Sequence, residues 1–117
     1  MRMSEYSVKE LNELAMKIIL HAGEGRSLVN KAFQSAEQGK SRDVIKELLK
    51  EAREKITEAH KLQTKVIQDT VMNESQCLTM LFIHAQDTLM TIHSELFMAE
   101  NVLELYCANQ GKEAEHE

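Results

Sequence analysis

An imidazole and a carboxylate stand three residues apart in His84-Ala85-Gln86-Asp87-Thr88-Leu89-Met90-Thr91. Around them Leu78, Leu81, Phe82, Ala85, Leu89 and Ile92 follow helical spacing. A helix turns roughly 100° per residue, so His84 and Asp87 share one face of it. On a helix that otherwise reads as core, both groups must be hydrogen-bonded or put to use. At this point several uses are open. The pair can satisfy itself within a core. The imidazole can act as acid or base, ligate a metal, or attack phosphorus and carry the phosphoryl group as a phosphoramidate. Phosphoryl transfer asks mainly for positioning and charge compensation, which a small helical protein can supply.

The other candidate groups are less well supported. Glu-x-x-His spacing occurs only at Glu113–His116, and His-Glu-x-x-His is absent, so a metal cluster built within one chain is not expected. Asp87 alone could ligate Mg²⁺, with water, if symmetry gathered several copies at an axis. His60, in Glu58-Ala59-His60-Lys61-Leu62-Gln63-Thr64, borders an apolar stripe and reads as a packing or hydrogen-bonding residue. His93 lies nine residues after His84 and faces the other side of the helix. His21 and His116 have no supporting constellation. Cys77, one heptad before His84, reads as a small buried hydrophobe rather than a reactive thiol.

Three helices must position these groups, over about residues 7–38, 41–70 and 74–109 of a single 117-residue domain. Proline is absent, so nothing interrupts long helices. Ser7 with Glu10 forms a capping box for the first helix, and Gly39 supplies a left-handed end. Gly23 and Gly25 inside that helix predict close approach by a neighbour where a Cβ would clash. Ser41, with Asp43 in the first turn, starts the second helix, whose stripe runs through Val44, Leu48, Leu49, Ala52, Ile56, Ala59, Gln63, Val66 and Ile67. Asn73 with Gln76 reads as the box that starts the third. Residues 111–117 are charged and expected to fray. Cys77 and Cys107 on one helix would stand roughly 45 Å apart at about 1.5 Å per residue, so they cannot pair within a subunit.

A net charge of −5 argues against general affinity for nucleic acid or anionic membranes. No stretch approaches the ~18 apolar residues of a membrane span, and Met1 to Lys9 is too polar for a secretory leader. The expected location is cytoplasmic. The third helix is apolar over most of its circumference, through Leu78, Leu81, Phe82, Ile83, Ala85, Leu89, Met90, Ile92 and Phe97. Such a helix belongs at the centre of a larger bundle, so a homo-oligomer is expected.

Taken in order, Ala22-Gly23-Glu24-Gly25-Arg26-Ser27, then Glu58 to Thr64, then His84 to Thr91 resemble the enzyme IIA component of the lactose/cellobiose/diacetylchitobiose branch of the bacterial phosphotransferase system. The resemblance spans about residues 7–109. It implies an all-α fold: three long antiparallel helices per subunit, assembled as a homotrimeric bundle. It makes His84 the phosphoryl acceptor and Asp87 the ligand of Mg²⁺ or another divalent cation shared at the trimer axis. The histidine-containing phosphocarrier protein would donate, and a cysteine of the IIB component would receive, during uptake of a β-disaccharide. Arg26, Lys61 and Lys65 become candidate phosphoryl contacts. Two departures stand out: Thr88 where the family often has a ring residue, and a glycine-free connection from Asp69 to Glu74. These leave room for a non-catalytic regulatory module of the same fold.

Overall fold

The computed structural model describes residues 6–73 and 75–116, with side chains described through residue 110. Its helices are α1 (Val8–Glu37), α2 (Arg42–Thr70) and α3 (Met80–His116). Successive helices run antiparallel, so α1 and α3 are parallel. Arg26 accordingly meets Glu95, and the Tyr106 hydroxyl donates to the Ala36 carbonyl at 3.1 Å. The result is a rod with extents of 69 × 20 × 19 Å, one helix long and two helices wide.

The caps explain where the first two helices start and stop. Ser7 Oγ accepts from the Glu10 amide at 3.0 Å, and the Glu10 carboxylate accepts from the Ser7 amide at 3.1 Å. The expected capping box is therefore present. At the other end Gly39 takes φ +72°, and the Lys40 and Gly39 amides donate to the Ser35 and Ala36 carbonyls. That is a Schellman closure, and it needs a residue without a Cβ penalty at Gly39. Ser41 Oγ accepts from the Val44 amide at 3.3 Å and opens α2.

The start of α3 differs from expectation. Glu74, the anticipated first residue, lies outside the described residues, and the helix begins at Met80. Both members of the anticipated box are committed elsewhere. Asn73 Oδ1 accepts from the Ser75 amide and hydroxyl, an Asx turn. The Gln76 amide group pairs with the Tyr6 backbone, accepting at 2.9 Å and donating at 3.2 Å. Thr79 caps instead, its hydroxyl accepting from the Phe82 amide at 3.2 Å. Cys77 thus sits in the connection and is exposed; both cysteines are free. At its far end α3 runs past Asn109 to His116, so residues 111–116 are helical where fraying was expected; Lys112, Glu113, Ala114 and Glu115 are good helix formers and offset Gly111.

The core is one continuous cluster. Leu11, Ala15, Ile18, Ala22, Val29 and Ala32 of α1 meet Ile45, Leu49, Ala52, Ile56, Ala59 and Val66 of α2, and Phe82, Ala85, Leu89, Ile92, Leu96 and Ala99 of α3. Burying each large side chain contributes about 1.5–3 kcal/mol. The α2 stripe is rotated slightly from its expected position: Ile45 is buried, whereas Val44 and Ile67 are exposed. Of the two α1 glycines only Gly25 marks a close approach. A Cβ there would lie 2.6 Å from Ile56 Cγ1 and 3.2 Å from the Ala52 carbonyl oxygen, whereas one at Gly23 meets nothing within 4 Å.

Candidate functional site

The second and third turns of α3 carry the residues singled out above. Phe82, Ala85 and Leu89 are fully buried, which fixes the rotation of the helix. Relative to Leu89, His84 is turned by about 140° and Asp87 by about 160° in the opposite sense. Both therefore point away from the core, and both are exposed. They share the outer surface about 60° apart, and the side chains make no hydrogen bond to each other among the described residues. The reading of a mutually satisfied core pair is thereby removed. What remains is an accessible imidazole on a rigid scaffold and an accessible carboxylate one turn further along.

The outer surface around them is apolar. Met80, Ile83, Met90 and Phe97 on α3 are exposed, as are Val71 and Met72 in the preceding connection. Met80, Ile83, Asp87, Met90, Ser94, Phe97 and Asn101 follow one another at alternating three- and four-residue spacing, the pattern of a helix seam. Asp87 is the charge within that seam.

The basic residues named as candidate phosphoryl contacts are each held by a carboxylate of their own chain. Arg26 makes a two-pronged contact with Glu95 at 2.8 and 2.7 Å, and this hydrogen bonding raises its pKa further. Glu95 is three turns beyond His84, about 16 Å along the axis. Lys65 Nζ lies 3.0 Å from Asp69, and Lys61 Nζ lies 3.9 Å from Glu58. No group of three or more His, Cys, Asp or Glu side chains is placed to hold a metal ion among the described residues.

Two sites were not legible from spacing. Tyr6 donates its hydroxyl to Asp69, which also accepts from Lys65, while Tyr6 and Gln76 pair as described. Burial, followed by the bond to Asp69, pushes the Tyr6 phenol up to about 12, and the same bond draws the Asp69 carboxyl below its usual range. This clasp ties the start of α1 to both ends of the α2–α3 connection. The second site is an edge-to-face pair formed by His60 and His93, whose ring centroids are 6.0 Å apart across α2 and α3. His21 is half-buried, with Nδ1 unpartnered among the described residues. The side chain of His116 lies outside the described residues.

Comparison with known proteins gives one consistent answer. Residues 13–107 match the family model described as the PTS system lactose/cellobiose-specific IIA subunit. The lichenan-specific phosphotransferase enzyme IIA component of Bacillus subtilis is 37% identical over 84% of this chain and 88% of its own. The N,N'-diacetylchitobiose-specific EIIA component of Escherichia coli K12 is 30% identical, covering 88% of each chain. Among solved structures, the cellobiose-specific enzyme IIA from Bacillus anthracis superposes with a TM-score of 0.78 at 34% identity, over 92% of this chain and 95% of that one. PtcA from S. mutans gives a TM-score of 0.80 at 32% identity, over 86% and 98%.

Proposed function

The chain belongs to the lactose/cellobiose-specific IIA family of the phosphotransferase system, and on that premise we propose that it relays a phosphoryl group through His84. The observation that carries the reading is the exposed His84 imidazole, held outward by a helix whose opposite face is fully buried. The donor is the histidine-containing phosphocarrier protein and the recipient is a cysteine of the IIB component. A ring nitrogen of neutral His84 attacks phosphorus with its lone pair. The new N–P bond forms as the N–P bond of the donor breaks, and the electron pair returns to the donor ring. In the second step the cysteine thiolate takes the group and His84 is restored. Such transfers need alignment more than covalent help from the protein, and α3 supplies a fixed platform. The exposed apolar side chains of Val71 and Met72, outside the α3 seam, suit brief docking by two successive carriers. The transported sugar is a β-linked disaccharide, in keeping with the chitobiose- and cellobiose-specific names of the relatives.

Assembly as a homotrimer around α3 is part of the same reading. Asp87 fits the shared divalent ion: it is a carboxylate set among exposed apolar residues, without a hydrogen-bond partner among the described residues. If copies bury that seam, three converging carboxylates require a compensating charge, and oxygen ligands with water suit Mg²⁺. A bound cation would supply that charge compensation.

Incubation with phosphoenolpyruvate, enzyme I and the phosphocarrier protein should place one acid-labile phosphoryl group on each chain, and none on His84→Ala. Equal labelling of the variant overturns the assignment. Absence of label on the wild type, with carrier binding retained, would make the chain a regulatory module.

A further inference from the structure

Away from His84, two imidazoles from different helices are brought together. His60 on α2 and His93 on α3 place their ring centroids 6.0 Å apart with the planes inclined at 69°. His60 Nδ1 lies 3.4 Å from the Thr64 hydroxyl, which leaves its Nε2 for another partner. An imidazole nitrogen binds Zn²⁺ at about 2.0–2.1 Å, so each ring centre sits about 3.2 Å from the metal. Two rings on one ion then have centroids about 5.2 Å apart at a tetrahedral angle and about 6.4 Å apart when opposed. The observed 6.0 Å lies between those limits, about 0.8 Å wider than the tetrahedral value, so a small closure of the two rings completes the chelate.

From this we infer that His60 and His93 form a two-imidazole chelate for a transition-metal dication, with water completing its coordination. Imidazole selects Zn²⁺, Cu²⁺ or Ni²⁺ over the hard ions Mg²⁺ and Ca²⁺. In the single subunit His60 is exposed and His93 half-buried, so the pair is accessible there. The neighbouring charges do not oppose a cation. Arg53 and Glu100, each seven residues from one histidine, pair with each other, and Lys61 is paired with Glu58. Packing between α2 and α3 is the sparsest of the three helix pairs, so an ion at this point would pin the helices that hold each other least. The site is independent of the phosphocarrier reading and of Asp87.

Titration of the full chain with zinc chloride, followed by calorimetry, tests the proposal. One Zn²⁺ per chain is expected at this site, with affinity at least about tenfold weaker in His60→Gln and in His93→Gln, since each removes one of two protein ligands. Zinc should raise the melting temperature of the wild type and not of either variant, while far-UV circular dichroism verifies that both variants fold. In the wild type, substoichiometric Cu²⁺ should broaden the ring resonances of both histidines together. An Asp87→Asn variant should lose only an axial ion shared by three chains and keep the one Zn²⁺ per chain that depends on His60 and His93, which separates the two sites. No uptake at millimolar zinc, or uptake unchanged in both histidine variants, overturns the proposal.

Discussion

Gly25 and Gly23 occupy the same helix two residues apart, yet only one is obliged to be glycine. A Cβ on Gly25 would press into Ile56 Cγ1 at 2.6 Å and crowd the Ala52 carbonyl. Overpacking of this kind costs about 1–3 kcal/mol, more than the ~1 kcal/mol that alanine gains over glycine in a helix. Gly25→Ala should therefore lower stability in urea unfolding. Gly23→Ala meets open space and should raise the stability of the isolated subunit by up to about 1 kcal/mol. The sequence presents the two glycines as equivalent, because the rotation that aims one at α2 is set by residues on three helices. His84 shows the reverse case. Its motif was legible at once, but its exposure was not. Spacing placed it beside Asp87 on an apolar helix; only the burial of Phe82, Ala85 and Leu89 shows that both face outward.

Helices α1 and α2 were legible to within a residue or two, because their ends are written in local capping chemistry. The start of α3 was not, because it is decided by a long-range contact. Gln76 could cap a helix at Asn73, but it pairs with the Tyr6 backbone, seventy residues away. Once Gln76 is taken, no helix starts until Thr79 offers the next cap. The clasp also has a pH signature. Tyr6 titrates from 10 in the unfolded chain to about 12 in the folded one. A raised folded value means that its contribution is complete below about pH 10 and is lost as pH rises through about 12. The depressed Asp69 carboxyl acts oppositely: its contribution is present above the ordinary carboxylate range and is lost as pH falls below it. Tyr6→Phe should thus be less stable than wild type by an amount that is flat between about pH 5 and pH 9 and shrinks toward pH 12. A gap that stayed constant to about pH 12 would mean that the hydroxyl is not what the clasp holds. Guanidinium unfolding across this range measures it.

At the scale of the molecule, one side of the third helix is unpartnered among the described residues. Phe97 is 61% exposed and Met90 47% exposed, although both lie on the helix whose opposite face makes the core. Among the described residues, three ion pairs lace α3 to the other helices, Arg26–Glu95, Arg42–Glu104 and Arg53–Glu100. At exposed positions each is worth only about 0.2–1 kcal/mol, so they orient α3 more than they stabilise it. The apolar seam, by contrast, has no partner among the described residues, and a second and third copy are the partners that the proposed trimer supplies. Phe97→Glu separates the two levels of structure. In the single subunit the position is a surface one, where a substitution changes stability by about 0.5 kcal/mol or less. In the trimer it would bury a carboxylate in each of three copies, which is strongly unfavourable without compensation. Light scattering should therefore report a mass near three chains for the wild type and near one for the variant, with helical content unchanged. Asp87→Leu makes the complementary case, because it keeps the seam apolar while removing the carboxylates. It should retain the assembly and lose the divalent ion, measured by elemental analysis after gel filtration. A variant that kept its metal would move the ion away from the axis and leave Asp87 without that role.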